Sequence, residues 1–182
     1  MRLYIQMEME YEHLVAGCRL GERGAQLRLY EIYARRLYVT CLRIIGDSAE
    51  AEEAMQDSFL KILTHIDSYN ESQRLEAWMR RIAIHTAIDY VRRENPDMVE
   101  IDDNMAIEEE EELNEDEIEY SVELVKRGMK ELPTGYRVII SLYLFEGYDM
   151  EEISSILKIK PASVRSQYLR AKRKLLDIIT SY

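Results

Sequence analysis

The sequence predicts an all-α protein of two small helical domains joined by an acidic flexible linker, the C-terminal domain being a helix-turn-helix. Three observations lead there. Glycine and proline are scarce, 7 and 3 in 182 residues, about half the average usage, which argues against a turn-rich sheet. Apolar residues recur at steps of three and four over long stretches, the period of a helix with one buried face. Charge, finally, is divided by segment: residues 97–121 hold 13 Asp or Glu and no Lys or Arg, between a first part with 13 basic and 15 acidic groups and a last part, residues 122–182, with 11 basic and 7 acidic. With 47% apolar and 32% charged residues the chain can build a core, and its length suits one domain or two small ones.

The first helix is expected over about Tyr11–Cys18, closed by Gly21 and Gly24. A second, about Ala25–Ile45, turns Leu29, Ile32 or Tyr33, Leu37, Cys41 and Ile44 inward, and Gly46 ends it. Asp47 and Ser48 are both good N-caps for a third helix reaching about Leu63, with Ala51, Met55, Phe59 and Ile62 inside. A polar loop from Thr64 to Ser72 carries Tyr69 and Asn70. A fourth helix, about Gln73–Glu94, points Leu75, Met79, Ile82 and Tyr90 or Val91 to the core and displays Arg74, Arg80, Arg81, Arg92 and Arg93.

Pro96 disfavours helical geometry in the residue before it, and beyond it the like-charged block, with Glu108 to Glu112 unbroken, repels itself and resists collapse. Domains are therefore expected at 1–96 and 122–182 with a linker at 97–121. In the last third, helices are expected at about Ile118–Glu131, Thr134–Phe145, Met150–Leu157 and Pro161–Thr180. Asp149 and Glu152 have capping-box spacing, and Pro161 suits a first helical turn.

A short helix, a tight turn and a longer basic helix form a helix-turn-helix pattern. In the final helix Val164, Tyr168, Ala171, Leu175 and Ile178 share a buried stripe. Ala162, Ser166, Leu169, Arg170 and Arg173 fall opposite, with Arg165 and Lys172 on a flank. Arginines and small polar groups on the N-terminal half of such a helix suit a DNA major groove.

Other classes fit poorly. His13, His65 and His85 make no HExxH spacing, and there is no phosphate-binding GxxxxGK[ST] loop or GxSxG elbow, so no catalytic residues, metal or cofactor are expected. Cys18 and Cys41 have no CxxC partner and read as core thiols in a reducing compartment. The longest apolar run, Val138–Phe145, is far below the roughly 20 residues of a membrane span, and no secretory signal is apparent. A soluble, intracellular protein is expected.

Two segments in order carry a family resemblance. The stretch from Glu50 to Leu60, EAEEAMQDSFL, resembles the core-binding helix of bacterial RNA polymerase sigma factors, and Leu75–Ala83, running on to Asp89-Tyr90-Val91-Arg92-Arg93, resembles the promoter-melting helix that follows it. Leu132-Pro133, Phe145-Glu146-Gly147-Tyr148, Val164-Arg165-Ser166 and Arg170-Ala171-Lys172 are similar to the family's C-terminal promoter-binding domain. With two domains and none between, the chain is identified as a member of the extracytoplasmic-function (ECF) subfamily.

The resemblance implies that Glu50, Glu53, Gln56 and Asp57 dock on the clamp coiled coil of the largest polymerase subunit. It implies that Tyr69, Asn70, Ser72 and His85 line a pocket for a base flipped from the minus-10 element, with Arg80 and Arg81 holding phosphates and Trp78 acting as support. Arg165, Ser166, Leu169 and Arg170 would read the minus-35 element, and Lys172, Arg173 and Lys174 would contact phosphates. Implied partners are core RNA polymerase, through that clamp and the flap of the second subunit, promoter DNA, and an anti-sigma factor. The acidic linker would run toward the RNA exit channel or fold back to mask the recognition helix. Against the family pattern, Lys158 stands where the turn usually carries glycine, Lys160 replaces a Ser or Thr N-cap, and Gln167 occupies a position commonly arginine. The alternative function is a stand-alone helix-turn-helix regulator, in which the acidic helix and the Tyr69 loop would have no use.

Overall fold

The computed structural model describes residues 13–70, 72, 74–95 and 122–181. The whole acidic linker, residues 97–121, lies outside them, as do both expectations about its course, the residues before His13 and the beginning of the helix expected from Ile118. All regular structure among the described residues is helical. Helix α1 covers residues 13–19, followed by α2 (Arg23–Ile45), α3 (Ser48–Thr64), a 3-10 turn (Ile66–Ser68), α4 (Leu75–Glu94), α5 (Val122–Glu131), α6 (Thr134–Ile140), α7 (Met150–Leu157) and α8 (Pro161–Thr180). Two compact units result: the described residues of Met1–Leu42 with Asp47–Tyr90, and those of Arg43–Gly46 with Val91–Tyr182.

In the first unit, the positions the helical period turns inward are buried: Leu29, Tyr33, Leu37 and Cys41 on α2, and Ala51, Met55, Phe59 and Ile62 on α3. The Tyr30 ring meets the Phe59 ring edge-on at 4.9 Å. Helix α4 departs from the expected single stripe. Trp78, Ala83, Ile84, Ala87 and Ile88 are buried beside Leu75 and Met79, while Ile82 is only partly covered. Its buried arc is wide, and the exposed residue is a narrow strip at Ala77, Arg80, Arg81, His85, Asp89 and Arg93. Cys18 and Cys41 are buried thiols, and the Cys41 Sγ–H donates to the Ala83 carbonyl at 4.0 Å. Burial pushes the Cys18 thiol up from its ordinary pKa, with the Glu22 carboxylate adding to the shift, so the protonated, unreactive form is favoured.

The core of the second unit is built on α8. Ala171, Leu175 and Ile179 pack with Met129 and Leu132 from the α5 segment and Ile140 from α6, and Tyr168 and Ile178 flank them. The helix expected from Thr134 to Phe145 changes pitch. Residues Ser141–Phe145 form a π-helical turn closed by the Glu146 N–H on the Ser141 carbonyl at 3.1 Å. Wider winding of this kind is an insertion into a helix that the apolar period alone does not report. Below it the Tyr143 and Tyr168 rings meet at 4.6 Å.

Gly128 lets α5 approach α8 closely: a Cβ there would stand 2.7 Å from Ile179 Cγ2 and 2.8 Å from Leu175 Cδ1. Alanine is the better helix former by about 1 kcal/mol, yet overpacking a closed contact costs about 1–3 kcal/mol. Gly128→Ala is therefore expected to destabilise the protein by about 1 kcal/mol, against its helix propensity, as read by urea denaturation.

Candidate nucleic-acid and protein interfaces

Helix α3 starts where Asp47 caps it. The Asp47 carboxylate accepts from the N–H groups of Ala49 at 2.8 Å and Glu50 at 3.0 Å, satisfying donors the first turn leaves open. Burial of Ala51, Met55, Phe59 and Ile62 then turns the other side outward. Glu53 and Gln56 are exposed and Glu50 and Asp57 half-buried, so the four expected docking residues share one outward face. Two features escaped the sequence reading. Leu60, 65% exposed, lies on that face, seven residues from Glu53, and the same arithmetic that grouped the acids would have found it. Asp57 is held from α4, where the Tyr90 hydroxyl donates to its Oδ2 at 2.7 Å.

The loop after α3 is anchored by its backbone. Arg19 donates to the Tyr69 carbonyl at 2.7 Å, and the Tyr69 ring tilts against Trp78 with centroids 5.4 Å apart. Tyr69 is 8% exposed and Trp78 9%, so both rings are buried and each packs on the other. Asn70 and Ser72 are exposed and fold onto each other, the Ser72 N–H reaching Asn70 Oδ1 at 3.2 Å and the Ser72 hydroxyl bonding the same oxygen. On α4, Arg80, Arg81 and His85 are exposed on the strip described above, with Arg81 and His85 one turn apart.

In the second unit the capping box at Asp149 is complete. The Glu152 N–H donates to Asp149 Oδ1 at 2.8 Å and the Asp149 N–H to Glu152 Oε2 at 2.9 Å. The turn between α7 and α8 is left-handed at Lys158, with φ 59 and ψ 40, a geometry that favours glycine. The Ile159 N–H bonds the Ser154 carbonyl at 3.2 Å, and the Ser154 hydroxyl bonds the Ile159 carbonyl at 2.6 Å, so the turn is pinned from both directions. Lys160 makes no side-chain cap, and Pro161 opens α8.

On α8, Val164, Ala171 and Leu175 are buried as expected. Tyr168 and Ile178 are partly covered, and Gln167 and Ile179 complete the inner face. Gln167 is 3% exposed, so the departure from arginine at this position removes a side chain that would have had to leave the core. Arg165, Arg173 and Lys174 are exposed, and Ser166, Leu169, Arg170 and Lys172 half-buried. Ser166 turns its hydroxyl to the Ser163 carbonyl at 3.1 Å. Helix α8 thus places five cations outside its buried stripe and ahead of its single acid, Asp177.

Among the described residues no group of three or more His, Cys, Asp or Glu is placed to hold a metal ion, and no helix is long and apolar enough to cross a membrane.

One unit displays a face of acids, and the other carries a capped helix-turn-helix with a basic second helix, the arrangement of a DNA-binding module. Residues 29–96 match the family description Sigma-70 region 2, and residues 123–175 match Sigma-70, region 4. The chain is 28% identical over 182 residues to the ECF RNA polymerase sigma factor SigW of Bacillus subtilis (strain 168), covering 93% of this chain and 96% of that protein. It is 30% identical over 176 residues to the ECF RNA polymerase sigma-E factor of Salmonella typhimurium, covering 89% and 90%. Among solved structures, the sigma factor RpoE in complex with the anti-sigma factor NepR from Bartonella quintana has the same fold, at a TM-score of 0.55 and 18% identity over 84% of this chain and 95% of that one. CnrH in complex with the cytosolic domain of CnrY gives a TM-score of 0.53 at 19% identity, over 92% and 96%. The chain belongs to the ECF sigma factors of the sigma-70 family, whose members bind core RNA polymerase and promoter DNA to initiate transcription and are not enzymes.

A left-handed lysine is strained by about 1–2 kcal/mol relative to a residue without a Cβ, a difference partly offset by the greater freedom glycine has when unfolded. Lys158→Gly is expected to stabilise the protein by about 0.5–1 kcal/mol, measured as a rise in the urea midpoint with unchanged slope.

Proposed function

We propose that residues 1–96 form a polymerase-docking and minus-10-reading domain, residues 97–121 a tether, and residues 122–182 a minus-35-reading domain. In this reading Glu50, Glu53, Gln56 and Asp57, with Leu60 among them, dock on the clamp coiled coil of the largest polymerase subunit. Tyr69, Asn70, Ser72 and His85 receive an unstacked minus-10 base, and Arg80 and Arg81 contact its backbone. Arg165, Ser166, Leu169 and Arg170 read the minus-35 duplex, and Lys172, Arg173 and Lys174 contact phosphates. The second unit meets the flap of the second polymerase subunit. The protein works in the cytoplasm beside the polymerase, and an anti-sigma factor restrains it, as the anti-sigma factor NepR is bound to the sigma factor RpoE of similar fold.

The observation that carries the reading is that opposite charges are both displayed, acids on α3 and cations on α8. An acidic helix face has an electrostatic reason to meet a basic protein surface and none to meet DNA, whereas cations on a groove-sized helix attract phosphate. Leu60 adds the apolar contact that a protein interface uses at its centre and that a solvated helix does not need. Tyr69 packs against Trp78 beside the exposed Asn70 and Ser72, so an unstacked base held by those two polar groups would lie next to an aromatic surface, a contact worth about 1–3 kcal/mol where the ring face is reached.

Runoff transcription with purified bacterial core polymerase, on promoters found by mapping start sites after overexpression, tests the function. Transcripts should require both core and this protein. Specific binding to duplex promoter by the protein alone, with no gain from core, would instead favour the stand-alone regulator. Leu60→Ser should weaken association with core by about tenfold, the scale of removing a buried apolar side chain from an interface, and leave binding to duplex DNA unchanged. Arg173→Ala should weaken DNA binding uniformly across promoter sequences and reduce the salt slope by about 1, whereas Arg165→Ala should also relax preference at one base of the minus-35 element. Both are read by titrating holoenzyme onto labelled promoter at several salt concentrations.

A further inference from the structure

Asp57 and Lys61 stand four residues apart on α3 with the acid on the N-terminal side, the order in which a helix most readily forms an ion pair. Such a pair would neutralise one acid of the docking face. In the structure each turns to α4 instead. The Tyr90 hydroxyl donates to Asp57 Oδ2 at 2.7 Å, and Lys61 Nζ donates to Thr86 Oγ1 at 3.0 Å. Tyr90 and Thr86 are themselves one helical turn apart, so a single face of α4 serves both. Thr86 is 1% exposed, and its hydroxyl donates onward to the Ile82 carbonyl at 2.9 Å, which aims an oxygen lone pair toward the ammonium.

The two partners differ in what they do to charge. A phenol is neutral at physiological pH, so its hydrogen bond fixes the orientation of the Asp57 carboxylate and leaves its negative charge whole. An ammonium at the same oxygen would cancel that charge and occupy the position a cationic partner needs. Drawing Lys61 toward the seam between α3 and α4 keeps the competing cation occupied.

We propose that Tyr90 and Thr86 are positioning residues that hold Asp57 and Lys61 apart, so that α3 meets a basic protein surface with the Asp57 carboxylate oriented and not neutralised by Lys61. The inference rests on the reading of α3 as the polymerase-docking face and adds to it the device that keeps that face competent. It accounts for a tyrosine at position 90 where an apolar residue would suffice for packing.

The test is a double-mutant cycle on the full chain, with affinity for purified bacterial core RNA polymerase as the readout. Tyr90→Phe removes one hydroxyl and should weaken binding by about fivefold, the scale of one hydrogen bond to a charged group. Lys61→Met added to Tyr90→Phe should return the affinity to within about twofold of the native protein, because no cation is left to capture Asp57, while Lys61→Met alone should change it by less than about twofold. Thr86→Val, which frees Lys61, should act in the same direction and be rescued in the same way. A tyrosine that only supported packing would lower the melting temperature and the affinity together, and removing Lys61 would restore neither. Asp57→Asn separates the two levels of inference. If it weakens binding but Tyr90→Phe does not, or if Lys61→Met gives the same gain with and without the tyrosine, the positioning role is overturned and the docking face stands. If Asp57→Asn binds core as tightly as the native protein, the docking role of Asp57 falls and the positioning role with it.

Discussion

The burial of Met55, Phe59 and Ile62 along one side of α3 is the constraint from which the interface follows. An unpaired carboxylate inside a core costs far more than an apolar group gains there, so once the apolar positions are spaced at three and four, the acids of the same helix have only the opposite side to occupy. The same exclusion operates on α8, where Val164, Ala171 and Leu175 are inside and the arginines and lysines are left outside. Neither face needs a dedicated scaffold. Each is the complement of a packing stripe, and a residue moved by one position along the helix would turn by about 100° and leave it.

For that reason the faces of α3 and α8 were legible in the residues alone, and so were the caps at Asp47 and Asp149, which depend on contacts within four residues. What escaped was set by tertiary packing. Helix α4 buries Trp78, Ala83, Ile84, Ala87 and Ile88 over an arc too wide for a single stripe, because it is covered on more than one side, and a period-based reading assigns one inner face only. The π-helical turn at Ser141–Phe145 adds a residue to a helical turn without breaking the apolar run, so nothing in the pattern of Val138 to Phe145 marks it. The Tyr90 contact to Asp57 joins residues 33 apart, and no local rule connects them. Tyr69 was legible as an aromatic in a polar loop, but its 8% exposure reflects tertiary packing, the Trp78 ring included, which no local rule reports.

The turn between α7 and α8 shows how a departure from a family pattern can be absorbed. A left-handed lysine at position 158 is strained, but the Ile159 N–H and the Ser154 hydroxyl bind across it, so the strain is carried by a turn that has little freedom to relieve it. The missing N-cap at Lys160 is offset in part by Pro161, whose fixed φ and absent N–H suit the first turn. Both changes place a cation near the start of α8, and the one at Lys160 leaves its first backbone N–H groups without a capping side chain. The positive end of the helix dipole and two lysines then act in the same direction on any anion near the turn.

Gln167 closes the electrostatic account of α8. An arginine at this position would offer a further cation to phosphate, whereas the glutamine side chain is 3% exposed and belongs to the core. Each phosphate contact that is absent lowers the salt-dependent part of DNA affinity, so under the proposed reading the helix would rely more on Arg165, Arg170 and Arg173. Under the proposed division of labour, an interaction of this modest strength is sufficient because the polymerase holds both domains near one promoter, and binding through a second site raises the effective concentration of the first. A stand-alone repressor has no such support and would need the missing cation or a second copy. The buried glutamine thus favours a factor that borrows its DNA affinity from a partner, which is the demand that the acidic face of α3 is suited to meet.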